Sequence, residues 1–365
     1  MAALSFPALY SLYALCGALL GLAVHLTAGL LGCRARPKTR LFLTLLFFAA
    51  LVPALHYWEV ERAVPLMFSG GSDTARFGVH VFVLTVAVLV SIVDFEYCVI
   101  PDLVMIPTTA IAVLLMTCFP GAALPDYDVD PCTGAVFPRV LAAFYGLREN
   151  EPRFLISACA VLFWVFALLD RRWYPKLGWK RAAALFFRRL RQSPLTLWLP
   201  LIGLAAVAGI WLLCRAPADA AREAGSAALL SALTGMAASM LLVWGVRLIG
   251  GAVLGREAMG FGDVILIGFF GAVFGWQGGL ILFFLAPLAG VLFGLARLFF
   301  RSGRAIPFGP FLSLAALALI FFWNPILLEV HDFLIGPLVA VLLLAMGVLM
   351  ALLLWVIQII KRCFR

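Results

Sequence analysis

Residues 79–98 read VHVFVLTVAVLVSIVDFEYC, so fifteen uncharged residues run without a break into Asp94. An apolar run of this kind is most of what a helix needs to cross a bilayer core, about 20 residues. The acid arrives before the run has been answered by polar residues. It is therefore expected about one turn inside the membrane end of a spanning helix. An ionisable group at that depth is costly and raises a functional question by default.

The rest of the chain agrees with a membrane setting. Of 365 residues, 65% are apolar and 12% are Asp, Glu, Lys or Arg, against about 25% charged in ordinary soluble domains. So few charges cannot cover a water-soluble surface. Apolar runs between polar breaks predict an all-α polytopic membrane protein of about eleven transmembrane helices. They lie near 8–32, 41–57, 79–97, 101–119, 155–169, 195–213, 226–250, 263–277, 279–299, 306–323 and 334–358. Gly278-Gly279 reads as either a turn or a kink, so ten spans is the alternative count. The first 33 residues carry no charged side chain, and without a basic leader region they read as a retained first span.

Lys and Arg in short loops set orientation. Arg34, Arg36, Lys38 and Arg40 follow the first span, which places the N-terminus outside and the C-terminus in the cytoplasm. Alternation from there puts 20 of the 27 Lys and Arg on the inner side. The net charge of +9 is then explained by loop placement and anionic lipid, with no nucleic acid implied. Segment 171–191 mixes eight basic residues with Trp173, Tyr174, Trp179, Phe186 and Phe187. It is expected to lie on an anionic leaflet. Gly17/Gly21, Gly251/Gly255, Gly271/Gly275 and Gly290/Gly294 have the spacing that lets helices approach closely, read here as packing within one chain.

The eight cysteines are scattered and the four histidines isolated, so neither a zinc site nor a disulfide framework is signalled. Asp126, Asp128 and Asp130 open like a calcium loop but lack its later Gly and Glu. The 120–153 segment reads as a solvated outer loop, and no metal or other cofactor is expected.

Twelve of the eighteen acids fall in predicted outer loops, where solvation accounts for them. Asp170 beside Arg171 and Arg172 reads as an ion pair. The remaining five form two inner clusters. One contains Asp94, Glu96 and Asp102, with Pro101 at the start of the next helix, where a missing N–H costs nothing. The other contains Glu257 and Asp263, with Gly260 and Gly262 flanking Phe261 so that the backbone can bend at membrane depth. Asp94 and Asp263 share a depth and a side. If they meet, they cannot both carry charge cheaply, and the pair could run two-carboxylate hydrolysis. Helix-end acids paired with Arg247 and Arg256, or a cation- or proton-coupled transporter, remain open on the residues alone.

Asp94 with Ile100-Pro101-Asp102 resembles the first catalytic motif of type IV prepilin peptidases. The stretch 256–271, REAMGFGDVILIGFFG, resembles their second, the GxGD motif, and Ile306-Pro307-Phe308-Gly309-Pro310-Phe311-Leu312 is similar to the segment opening their closing helix. The three stand in the family's order and cover roughly 75–119 and 226–323. The resemblance implies an intramembrane aspartyl protease with Asp94 and Asp263 as the catalytic pair and Pro101, Asp102, Gly260 and Gly262 supporting them. It implies no cofactor and a bacterial inner-membrane location with the site at the cytoplasmic face. Substrates would be prepilins or pseudopilins of type IV pilus and type II secretion systems, cut after a short basic leader. Glu96, Asp102 and Glu257 are the expected contacts for that leader.

The chain departs from the family in three respects. Bifunctional members carry paired C-x-x-C motifs for an N-methyltransferase region, and residues 1–78 hold only Cys16 and Cys33. Methyl transfer by this chain is not expected. The usual Lys two residues after the GxGD Asp is Ile265. Finally, the expected organisation inserts a unit: 1–78 as a divergent two-helix region, 79–119 and 226–323 as the two halves of the peptidase core, 120–225 as an inserted outer loop, helix pair and basic loop, and 324–365 as an extra helix and tail.

Overall fold

Long uncharged runs broken by short charged or proline-containing links leave the chain little choice but helices, because in an apolar medium every backbone N–H must be satisfied internally. The computed structural model describes residues 6–34, 36–61, 72–129, 136–140, 150–169, 194–215, 220–254, 259–300, 307–334, 344 and 348. Among these residues, five helical segments are long and apolar enough to cross a membrane, and four shorter apolar helices accompany them. The basic segment 171–191, residues 335–343 and most of the expected last span lie outside the described residues.

Helices α1 (Phe6–Leu30) and α2 (Pro37–His56) form an antiparallel pair. A side chain at Gly17 would strike the Phe48 carbonyl, and one at Gly21 the Thr44 carbonyl. The expected small-residue face is therefore the α1–α2 seam. Helix α2 ends in a π-helical turn, Tyr57–Glu61, which carries Glu59 inward. There Arg76 Nε lies 2.6 Å from Glu59 Oε2, and His80 Nδ1 lies 2.9 Å from Oε1. Glu59 is 6% exposed, which corrects its reading as a solvated loop acid. Two basic partners on the next helix supply what water would have supplied.

Helix α3 (Ser72–Tyr97) begins seven residues before the expected start, because the polar stretch 72–78 continues the same helix. Cys98, with φ 53°, breaks it. Pro101 is extended and precedes α4 (Asp102–Cys118), so the helix opens one residue later than the proline suggested. A 3-10 turn at Pro120–Ala122 leads into an antiparallel hairpin, β1 (Pro125–Val129) with β2 (Val136–Val140), in which Asp126 faces Arg139. The fold is helical as expected, and this short hairpin occupies part of the expected outer loop. In β1, Asp126 and Asp128 alternate with Pro125, Tyr127 and Val129, a period-2 pattern. Asp130 lies outside the described residues.

Helices α5 (Asn150–Leu169) and α6 (Pro194–Arg215) pack on each other, and α5 lies against α7 (Ala220–Leu254). Next come α8 (Phe261–Phe300) and α9 (Gly309–Leu334). Helix α8 is the centre of the bundle: most of its apolar stretch is buried, whereas little of α1 is.

Helix α8 is not straight. Gly275 has φ 72° and ψ 178°, a left-handed conformation that favours glycine. A methyl on Gly279 would lie 3.8 Å from the Gly271 Cα. In a straight helix, residues eight apart are about 12 Å apart. The chain therefore doubles back at Gly275, and limbs 261–274 and 276–300 run antiparallel. The two expected spans in this region are separate limbs, with the break three residues earlier than the Gly278-Gly279 pair. Those two glycines serve packing instead: a side chain at Gly279 would collide with Ser239 Oγ of α7, and one at Gly278 with Phe274.

Candidate active site

The last turn of α3 places Asp94 against the start of α9. Asp94 is 4% exposed, and its Oδ2 accepts the backbone N–H of Gly309 at 3.0 Å. One turn into α9, the Ser313 hydroxyl bridges to the carbonyls of Ala87 (3.2 Å) and Gly309 (3.0 Å). These bonds fix the register of α9 on α3 and with it the donor that faces Asp94.

Asp263 is the third residue of α8 and is 8% exposed. Its carboxylate folds back to accept the N–H of Gly260, the residue before the helix begins. An acid at the third helical position capping its own helix start is one half of a capping box. Each acid thus receives a backbone N–H from a glycine, one at the start of α9 and the other at the start of α8. Asp94 and Asp263 are near enough for the charge of one to bear on the other, and the segments that carry them both pack against Ile100. Among the described residues, no Lys or Arg forms an ion pair with either acid.

Glycine is required at two of these positions by close approach. A Cβ on Gly309 would lie 2.6 Å from Asp94 Oδ2, and one on Gly262 would lie 2.7 Å from Ile100 Cβ. Ile100, 5% exposed, also reaches with Cδ1 to 3.4 Å from the position of a Gly309 Cβ. Segments 98–102, 259–263 and 307–313 therefore meet around Ile100. All three motif stretches, which are scattered over more than 200 residues of sequence, converge at one end of the bundle.

The other expected residues are placed as follows. Asp102 opens α4 in its first turn, where a carboxylate complements the helix N-terminus. Glu96 Oε1 accepts the N–H of Arg34 at 2.8 Å, and Tyr97 donates to the Gly32 carbonyl at 2.6 Å. The α1–α2 loop is thereby docked on the end of α3. Glu257, like Arg256, lies outside the described residues. Arg247 donates from Nε to the Met259 carbonyl at 3.0 Å and sets its guanidinium over the Phe261 ring at 5.5 Å. It holds the turn before Asp263.

Two contacts differ from the sequence reading: the Gly309 N–H, which had no role there, and Arg247, read there as a possible partner of the acids and found bonded to the Met259 carbonyl. A glycine between Phe308 and Pro310 at the start of an apolar run was the available signal for the first. Nothing in local sequence announces the second. Among the described residues, no group of three His, Cys, Asp or Glu is placed to hold a metal ion. The site offers two buried carboxyl groups, fixed backbone donors and an apolar surround. Such a pair can deliver one proton while accepting another.

About a quarter of the chain is similar to curated bacterial proteins. It is 36% identical over 87 residues to the prepilin leader peptidase/N-methyltransferase of Aeromonas salmonicida, covering 23% of this chain and 30% of that protein. To the protein of the same name from Pseudomonas aeruginosa it is 39% identical over 92 residues, 24% of this chain and 32% of that one. To that of Burkholderia pseudomallei it is 32% identical over 102 residues, 27% and 33%. The chain spans about a third of the length of the curated relatives it matches. These relatives support the family that the three motifs resemble. No protein-family model matches the chain, and no solved structure matches it significantly.

Proposed function

We propose that the chain is an intramembrane aspartyl endopeptidase. It removes the short basic leader of prepilin-like or pseudopilin substrates at the cytoplasmic face of a bacterial inner membrane. The observation that supports this reading is that Asp94 and Asp263, both buried and each accepting a glycine N–H, sit on segments that pack against Ile100. In the reaction one carboxylate takes a proton from water as the water oxygen bonds to the scissile carbonyl carbon. The other carboxyl, protonated, donates to the carbonyl oxygen and so stabilises the tetrahedral intermediate. Collapse breaks the C–N bond as the departing amine nitrogen takes a proton from the pair.

The distribution of loop charges supports a cytoplasmic position for this end of the bundle, where a basic leader would be retained. Glu96, Asp102 and Glu257 supply negative charge for that leader, and segment 171–191 rests on anionic lipid. The carboxylates need no metal for this chemistry, and methyl transfer is not part of the proposal.

The test is leader cleavage by the full chain in proteoliposomes containing a prepilin-type substrate. Asp94→Asn and Asp263→Asn should each abolish it while leaving the folded protein in the membrane. Full cleavage by both variants would refute the assignment. Aspartate-dependent ion uptake without any cleavage would instead favour a transporter.

A further inference from the structure

We infer that α5 is a positioning element for the turn that carries Asp263, acting through Trp244 of α7. The inference rests on reading Asp263 as a catalytic carboxylate. It gives a role to a helix in the stretch between the two aspartate-bearing halves.

The turn 259–263 contains two glycines, and glycine leaves a backbone free to adopt many conformations. Gly260 is exposed. Besides the Gly260 N–H bond to Asp263, three contacts from outside the turn fix it. Gly262 sits on Ile100, as described. The Met259 carbonyl is held by Arg247 at 3.0 Å. The Phe261 ring meets the edge of Trp244 at 5.8 Å and 89°, with the Arg247 guanidinium on it at 5.5 Å. Trp244 and Arg247 are three residues apart on α7 and so share one face. Phe261 is two residues from Asp263 in the same helical turn, so a shift of its ring moves the carboxylate.

Trp244 does not hold its orientation by hydrogen bonding. Its indole N–H is buried and has no acceptor among the described residues, whereas buried tryptophans usually find one. Packing must therefore set the ring plane. Besides Phe261, the rings against it come from α5: Phe163 at 5.5 Å and 40°, and Phe166 at 6.2 Å and 32°. These two are also three residues apart on one helix face. The order of support is α5 to Trp244, Trp244 to Phe261, and Phe261 to Asp263. Removal of the α5 rings frees Trp244 to change rotamer, and the turn loses one of its three fixed points.

The experiment uses the full chain in proteoliposomes with Phe163→Ala, Trp244→Ala and Trp244→Phe. Two quantities are measured: kcat and KM for a leader-bearing peptide per folded molecule, and amide hydrogen exchange over 259–266. Both alanine variants should lower kcat about 10- to 100-fold, the cost expected of a misplacement near 1 Å, with KM changed less than about twofold. Exchange should quicken over 259–266 and stay unchanged over 79–90. Trp244→Phe should restore most of both. Unchanged exchange and unchanged kcat in the alanine variants would overturn the inference, as would a rise in exchange spread evenly over all helices. If the unsubstituted chain cleaves no leader peptide, the protease reading fails, and the exchange measurement still decides whether α5 holds the turn.

Discussion

Gly309 donates its backbone N–H to Asp94 Oδ2 across 3.0 Å, joining the first residue of α9 to the end of α3 over 215 residues of sequence. The bond is possible because Gly309 has no side chain: a Cβ there would lie 2.6 Å from the same oxygen and 3.4 Å from Asp94 Cγ. Gly309→Ala must therefore push the carboxylate out of place. The expected result is a loss of leader cleavage of about 100-fold with the protein still folded. Gly245→Ala is the control, since nothing lies within 4 Å of its new methyl. It should leave cleavage unchanged and stabilise the helix by about 0.5–1 kcal/mol. Equal activity of the two variants in the same cleavage assay would remove Gly309 from the site.

The contact between Gly262 and Ile100 gives a second prediction, in which the two halves of the core are read against each other. A Cβ on Gly262 would lie 2.7 Å from Ile100 Cβ, 3.3 Å from Cγ1 and 3.4 Å from Cδ1. Gly262→Ala should cost about 1–3 kcal/mol through overpacking. Ile100→Ala should relieve little of this, because its Cβ remains. Ile100→Gly removes the clashing atom, so its coupling to Gly262→Ala in a double-mutant cycle should be the larger, at about 1 kcal/mol or more. Unfolding midpoints of the three single and two double variants decide it.

The sequence makes the helices legible where an uncharged run is closed by charge, as at Asp94 in α3 or Arg34 after α1. It makes Asp94 and Asp263 stand out for the same reason. Two adjacent glycines are the stronger local signal, so the sequence offers Gly278-Gly279 as a turn or a kink. The positive φ falls at Gly275 instead, since Gly278 and Gly279 are consumed by contact with Phe274 and Ser239. That choice among glycines is made by tertiary packing and leaves no mark in local pattern. The hydrogen bond from Gly309 and the partners of Glu59 are likewise pairings between distant segments, which a reading of periodicity and charge does not reach.

Glu59 gives a prediction about stability rather than chemistry. It is buried, with Arg76 Nε at 2.6 Å and His80 Nδ1 at 2.9 Å. His80 precedes Asp94 by fourteen residues on α3, about 21 Å along the helix. Removing one member of a buried ion pair typically costs about 3–5 kcal/mol, because the remaining charge stays desolvated. Glu59→Gln should therefore lower the unfolding temperature markedly, while cleavage per folded molecule stays at the unsubstituted level. A variant with normal thermal stability would show that the pair contributes no net stability. One with normal stability and lost cleavage would tie the cluster to catalysis.

The cysteines near the site test both the local geometry and the orientation. Cys98, just after the Asp94 helix, is exposed, whereas Cys33 in the α1–α2 loop is 2% exposed. Burial pushes the Cys33 thiol up, and the charge of Glu96 adds to the shift. A raised thiol leaves less thiolate, the reactive form, at neutral and mildly basic pH. With sites of modification located by mass spectrometry, a maleimide should modify Cys98 at least about tenfold faster than Cys33. The Cys33 rate should rise at higher pH than that of an unshifted thiol. With a membrane-impermeant reagent, Cys98 should be silent in intact cells and react once the cytoplasmic face is opened. Labelling of Cys98 in intact cells would reverse the orientation. The leader would then have to be presented from the other side, and the loop charges would need an explanation other than topology.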